Sequence, residues 1–163
     1  MSWIGRSIRR FEDQTLLLGQ GRFFADTAQG ALVLRFVRSA VARGAIRSIG
    51  KPEGGTVFTA EDLAEVKPIR PILHRPDYVP IGQPALATGR VNHVGEPGAA
   101  VVGVDGADAE DWADRVEVDI AAEDPVVDVD AALQAGSPKV HPEAPTNIIV
   151  EGLSRTPGLD AAF

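Results

Sequence analysis

A chain of 163 residues, 44% hydrophobic and 24% charged, has room for one ordinary domain, or one domain with an ordered tail, and its composition is that of a soluble globular protein. The absence of cysteine excludes a disulfide framework, a thiolate nucleophile and an iron–sulfur centre held by this chain; with no run near the roughly 18 apolar residues that span a bilayer and no signal-peptide core in MSWIGRSIRRFEDQ, a cytoplasmic, membrane-free protein is expected. The net charge of −7 is unevenly laid out, with nine Lys or Arg against three Asp or Glu in residues 1–51, a balance of −2 in residues 52–103 and −11 in residues 104–163.

A basic first third would suit a phosphate-bearing ligand or an acidic partner. It is also what two compensating faces of one domain, or a surface toward a sibling subunit, would produce. Its basic residues alternate with apolar ones and lack interleaved stacking aromatics, which argues against nucleic acid.

The stretch to Phe24, with Gly5, Gly19 and Gly21 around the apolar run Thr15 to Leu18, predicts an extended arm with one short turn rather than a helix. From Ala31, ALVLRFVRSA has the β-branched and aromatic content of a buried strand. Gly44 to Ile49 predicts a second short strand, and the Gly50-Lys-Pro-Glu-Gly-Gly segment a turn. Thr56 to Thr59 is a third strand, after which Thr59-Ala60-Glu61-Asp62, a capping threonine with a carboxylate three residues on, predicts one helical turn. Pro68, Pro71, Pro76, Pro80 and Pro84 exclude a helix interior or a central strand from residues 67–84, leaving an extended loop.

Arg90 to Val94, then Gly95-Glu96-Pro97-Gly98, then Ala99 to Val104 read as a short strand, a tight turn and a buried strand. Asp108 to Arg115 predicts an Asp-capped helix with Ala109, Trp112 and Ala113 inward, and Val116 to Ile120 alternates as a half-buried strand. Asp128 to Ala135 reads as one more short helix, ended by Gly136-Ser137-Pro138. Beyond it, Pro142, Pro145 and Pro157 and few packing residues besides Ile148 to Val150 read as a linker.

Chemistry-bearing residues are sparse. His74, His93 and His141 have no second histidine two to five residues away, the spacing that brings two ligands onto one helix face or hairpin. The acids of residues 105–130 lack calcium-loop spacing and read as a solvated face. Gly19-Gln-Gly21-Arg22 opens like a phosphate loop, but Arg-Phe-Phe follows where a third glycine and a helix are needed. Ser39 lacks a G-x-S-x-G context and an activating base, which leaves an ordinary strand-end serine. Glu96 stands out, either accepting backbone N–H bonds to fix its turn or facing a cleft where a partner domain sits.

These pieces, in this order, resemble the N-terminal α/β-hammerhead domain of the molybdenum hydroxylase large subunit, the family of xanthine dehydrogenase, aldehyde oxidase and carbon monoxide dehydrogenase. The resemblance runs through IGRSIRRFEDQTLLLGQGRFFAD, ALVLRFVRSAVARGAIRSI, ALATGRVNHVGEPGAAVVG, AEDWADRVEVDI and DPVVDVDAAL, nearly the whole chain. Two departures stand out: Ala40-Val-Ala-Arg-Gly-Ala45 replaces the family's Pro-His-Ala-His-Ala-Arg, and Gly98 stands where valine is usual.

The resemblance implies an α+β hammerhead fold, with a short mixed sheet, two or three short helices and an extended N-terminal arm. It implies a domain over residues 1–140 and, over residues 141–163, a linker toward a cofactor-binding domain that would start near Phe163. The implied function is that of a hammerhead domain or subunit of a molybdopterin-dependent oxidoreductase that hydroxylates an aldehyde, heterocycle or related small molecule. No catalytic, cofactor-binding or metal-ligating residue is assigned to this chain, and Arg38 and Glu96 are the candidate partner-facing residues. The molybdenum–molybdopterin, 2Fe-2S and FAD groups fall to other domains or subunits, so the implied partners are the molybdenum-cofactor-binding part and the FAD and iron–sulfur subunits. The alternative is a stand-alone, non-catalytic binding or assembly module that kept the fold.

Overall fold

The computed structural model describes residues 3–27, 30–153 and 157–158. The chain divides into two compact units, Met1–Leu32 and Val33–Phe163.

In the first unit, α1 spans Asp13–Leu17 and buries none of its residues. It ends because Gly19, at φ +67°, adopts the left-handed conformation that glycine takes without a side-chain penalty. The Gly19 N–H then reaches Leu16 O (3.1 Å) and the Gln20 N–H reaches Thr15 O (2.9 Å), closing the last turn. A short helix therefore replaces the expected non-helical turn of the arm. A 3-10 turn follows over Phe24–Thr27, held by Asp26 Oδ2 accepting from the Phe23 N–H at 2.8 Å.

The second unit runs β1 (Val33–Arg38), β2 (Gly44–Ile49), β3 (Thr56–Thr59), a 3-10 turn (Glu61–Leu63), β4 (Arg90–Val91), β5 (Pro97–Gly103), α2 (Gly106–Asp114), β6 (Val118–Ala122) and α3 (Val129–Ala132). The expected small α+β fold is found, but the strands form two three-stranded sheets, β1-β5-β3 and β4-β2-β6, with every pairing antiparallel. Hydrophobic alternation reports which face a strand buries, not its neighbour or direction, so it could not separate one mixed sheet from two antiparallel ones.

The core lies where α2 covers one face of the first sheet. Val57, Ala99, Val101 and Val116 form its buried cluster, with Val37, Ile49, Trp112, Ala113 and Val118 packed around them. Ala109, Trp112 and Ala113 thus sit on the inward side of α2, as their spacing predicts. The helix starts earlier than expected, at Gly106, because Asp105 rather than Asp108 is its cap: Asp105 accepts from the Asp108 N–H at 2.9 Å, and Asp108 accepts from the Val104 N–H at 2.8 Å. β1 departs from expectation more sharply. It is an edge strand covered on one side, and Leu34 and Phe36 remain 46% and 44% exposed, whereas β5 in the middle is buried along most of its length.

The proline-rich loop is extended as expected, and its two limbs meet through reciprocal backbone bonds between Ile69 and Gln83 (2.8 and 2.9 Å). The Val79 N–H donates to Ile149 O at 2.8 Å, and Arg75 donates to Glu151 O at 2.8 Å. Ala144 is buried, and the Asn147 side-chain amide donates to Ala132 O and Pro138 O while accepting from the Val140 N–H.

Gly103 is where α2 lies closest to β5, since a methyl group there would land on the backbone N and Cα of Ala109. Gly103→Ala is expected to destabilise the fold by about 1–3 kcal/mol, the scale of core overpacking. Urea unfolding of the wild-type and variant chains measures it, and an unchanged midpoint would show that the helix can shift at no cost.

Candidate functional site

The two residues singled out from the sequence meet at the turn entering β5. Gly95, at φ +86°, reverses the chain. The turn is sewn to the end of β1 by the Gly95 N–H donating to Ser39 O (2.8 Å) and the Ser39 N–H donating to Glu96 O (2.9 Å). Arg38 Nη1 donates to Gly95 O at 2.8 Å while its guanidinium carbon sits 5.2 Å from the centre of the Phe36 ring. Glu96 is only 6% exposed, and its Oε2 accepts the Asn92 N–H with His93 Nδ1 3.5 Å away. The Glu96 carboxylate therefore clamps its own turn, and Arg38, exposed beside it, reaches the turn through the Gly95 carbonyl.

A second polar cluster joins the ends of the β4-β2-β6 sheet. Glu123 Oε2 lies 3.3 Å from Arg43 Nη2 and 3.0 Å from Arg90 Nη2, and Arg43 Nη1 donates to Asp124 O at 2.9 Å. Arg90 Nε donates to Asn92 Oδ1 at 3.2 Å, which links this cluster to the Glu96 turn through Asn92. The Arg43 Nε is buried without a hydrogen-bond partner. Sequence reasoning missed the cluster because its members are distant in the chain and no local pattern marks them.

The remaining candidates are separated. Ser39 Oγ donates to Val41 O (2.7 Å) and accepts from the Val41 N–H (3.0 Å), the geometry of a serine turn. His141 faces Glu143 at 3.7 Å, while His93 faces Glu96. Among the described residues no group of three His, Cys, Asp or Glu side chains converges as metal ligands would, and no helix is long and apolar enough to cross a membrane. Gly19 and Gly21 belong to the end of α1 and the segment after it. Part of the acidic run goes to caps and pairs: Asp105 and Asp128 cap helices, Glu110 pairs with Arg35 (2.9 Å) and Asp119 with Arg47 (3.4 Å).

An open cleft of about 730 Å³ lies between β2, the 3-10 turn and the proline-rich loop, with Ile46, Ile49, Leu63, Val66, Pro68 and Leu86 on its walls. Lys51 and Thr59 line it too, and both hold Asp62, which accepts from Lys51 Nζ (2.6 Å), the Thr59 N–H (2.7 Å) and Thr59 Oγ1 (3.0 Å). This is the carboxylate half of the expected box, but Thr59 is not the cap: the 3-10 turn starts after Ala60 with no side-chain cap bond, because the Thr59 hydroxyl is used in donating to Asp62. The Lys51 hydrogen bond first, then the two from Thr59, lower the Asp62 pKa from 3.8 to about 2. The cleft offers apolar walls and a paired charge, with no activated nucleophile.

No protein-family model matches the chain. It is 31% identical over 168 aligned positions to the nicotine 6-hydroxylase large subunit of Paenarthrobacter nicotinovorans, covering 98% of this chain and 20% of that protein. It is 32% identical over 146 positions to the 6-hydroxypseudooxynicotine dehydrogenase complex subunit gamma of the same organism, covering 81% of this chain and 18% of that protein. Among solved structures, quinoline 2-oxidoreductase from Pseudomonas putida 86 matches with a TM-score of 0.73 at 32% identity, over 89% of this chain and 19% of the other. Aldehyde oxidoreductase from Desulfovibrio gigas matches with a TM-score of 0.70 over 83% of this chain and 16% of the other, and at 24% identity that likeness shows the fold alone. The chain thus spans about a fifth of the length of these proteins.

Two outcomes follow from the geometry. Glu96→Ala strips the acceptor from the Asn92 N–H and is expected to cost about 1–3 kcal/mol and speed exchange of that amide, with Glu96→Gln retaining part of the effect through its side-chain carbonyl. Urea titration with amide exchange measures both, and an Asn92 amide indifferent to Glu96→Ala would remove the clamp. For Asp62 the folded pKa is depressed, so the stability it contributes is complete above its ordinary value of 3.8 and is lost as pH falls through about 2. A carbon-13 titration of the Asp62 carboxyl should find its midpoint near 2, and a midpoint near 3.8 would refute the Lys51–Asp62–Thr59 arrangement.

Proposed function

Because the chain belongs to the molybdenum hydroxylase family, we propose that it is the α/β-hammerhead domain, or a hammerhead subunit, of a molybdopterin-dependent oxidoreductase and packs against the cofactor-binding part of that enzyme. The observation that carries this reading is the alignment of 98% of the chain with about a fifth of a hydroxylase large subunit at 31% identity. Two of the proteins it resembles are named for nicotine and quinoline, both nitrogen heterocycles, which favours a heteroaromatic substrate for the whole enzyme over an aldehyde.

The residues of this chain do not fit an iron–sulfur cluster or a metal ion held by protein ligands alone. It has no cysteine for an iron–sulfur cluster, and its described His, Asp and Glu side chains form no converging ligand set. No step of the hydroxylation is therefore assigned to it. Its contribution is to pack, and to present the cleft beside the proline-rich loop as one wall of a substrate approach. The rival reading, a stand-alone non-catalytic binding or assembly module, rests on the second unit having a core of its own.

Affinity purification from the native cell separates the two. Recovery of molybdenum and cofactor-binding polypeptide with these residues, in the same chain or as a partner, is the expected result. A cofactor-free monomer with no such polypeptide attached would sink the proposal and support the rival.

A further inference from the structure

The β1-β5-β3 sheet is covered by α2 on one face and left open on the other. The register places Val57, Val101 and Arg35 across one face, and on the opposite face it lays down two rows, Phe36–Ala100–Phe58 and Leu34–Val102–Thr56. The first face carries the core. The second carries no charged residue in these two rows, the Arg38 guanidinium reaching only the Phe36 ring, 5.2 Å from the ring centre, and its Leu34, Phe36 and Phe58 stay 46%, 44% and 39% exposed.

An antiparallel sheet with one solvated face reads apolar inward and polar outward along each strand. β5 breaks that rule. Its Ala99-Ala100-Val101-Val102 run is apolar toward both faces, the pattern of a strand covered on both sides, yet the second unit supplies a cover for only one. Ala100 is buried only because two half-exposed phenylalanines flank it.

We propose that this open face is a docking surface, covered in the assembled enzyme by an apolar surface of the remaining large-subunit polypeptide. The inference rests on the function proposed above and adds the side of the domain that is used. Two arguments select the occupant. The homologous large subunit is about five times as long as the stretch matched here, so most of its surface lies outside this chain. Three strands about 4.8 Å apart and four residues long span on the order of 200 Å². That is far below the roughly 800 Å² per partner that holds two independent chains together. A second copy or a free peptide would not stay on so small a patch, whereas a domain held close by chain connection or by further contacts of the same enzyme can use it as one part of a larger interface.

The cysteine-free sequence provides the test, since any introduced thiol is the only one in this chain. Thr56→Cys and Leu34→Cys place reporters on the open face, and Asp111→Cys places one on exposed α2, which covers the other face. Labelling is followed peptide by peptide by mass spectrometry in the purified native enzyme and in the 163-residue chain. The expected result is that Thr56→Cys and Leu34→Cys react about tenfold or more slower than Asp111→Cys in the enzyme, and at similar rates to it in the chain alone. Equal rates in an enzyme that retains molybdenum would overturn this face as the interface while leaving the proposed function standing. Protection that grows with the concentration of the chain alone would assign the face to a second copy and overturn the inference. Purification without any cofactor-binding polypeptide would overturn both readings together.

Discussion

Where α2 rests on β5, the strand has no side chain at Gly103 and the helix presents Ala109, fully buried, so backbone meets backbone with little between them. That close approach fixes the height of the helix over the sheet and lets Trp112 and Ala113 reach the cluster of Val57, Ala99, Val101 and Val116. β5 is the middle strand of its sheet, so its position dictates those of β1 and β3 on either side. The turn carrying Glu96 enters β5 at one end, and Asp105, which caps α2, follows it at the other. Both polar devices thus sit at the two ends of one strand.

A core of valine and alanine fixes geometry tightly but removes little apolar area per residue, since each buried methylene contributes about 0.8 kcal/mol and alanine has few atoms to bury. Most of the larger apolar side chains of the second unit lie elsewhere. Leu34, Phe36 and Phe58 are on the open sheet face, and Ile69 and Ile72 are on the proline-rich loop. The unit has therefore placed its small residues where α2 must approach closely and left larger ones facing outward. That division suits a module whose stability is completed by a neighbour better than one selected to stand alone.

Local pattern and long-range pairing were legible to different degrees. β2 and β3 occupy the residues their composition predicts, and the Asp62 carboxylate on the Thr59 N–H and the inward side of α2 follow from spacing alone, because each depends on residues within four positions of one another. β1 is less buried than its composition predicts, since ALVLRFVRSA has the composition of a buried strand while its exposure depends on edge position, which only the sheet partner decides. The α1 helix was missed because a five-residue element closed by Gly19 has too few residues to show a period. At the site, a clamping role was one of two readings open for Glu96, and the nearby Asn92 N–H realises it. The Arg43–Arg90–Glu123 cluster had no local signal at all, because its members come together only when β2, β4 and β6 form one sheet.

The uneven charge of the sequence takes on a specific meaning at this level. Within the second unit, basic side chains of β1 and β2 and of the turn between them meet acids from the later part of the chain: Arg35 with Glu110, Arg47 with Asp119, and Arg43 with Glu123. Exposed pairs of this kind contribute roughly 0–1 kcal/mol each, so they do not hold the fold together. What they do is set an acid from the later part of the chain against three of the basic side chains of its first third, Arg35, Arg43 and Arg47. With these basic side chains paired, the Leu34–Phe36–Phe58 face stands out as an apolar surface of the second unit that nothing in that unit covers. That feature is apolar, and what it recruits is protein surface rather than a charged small molecule.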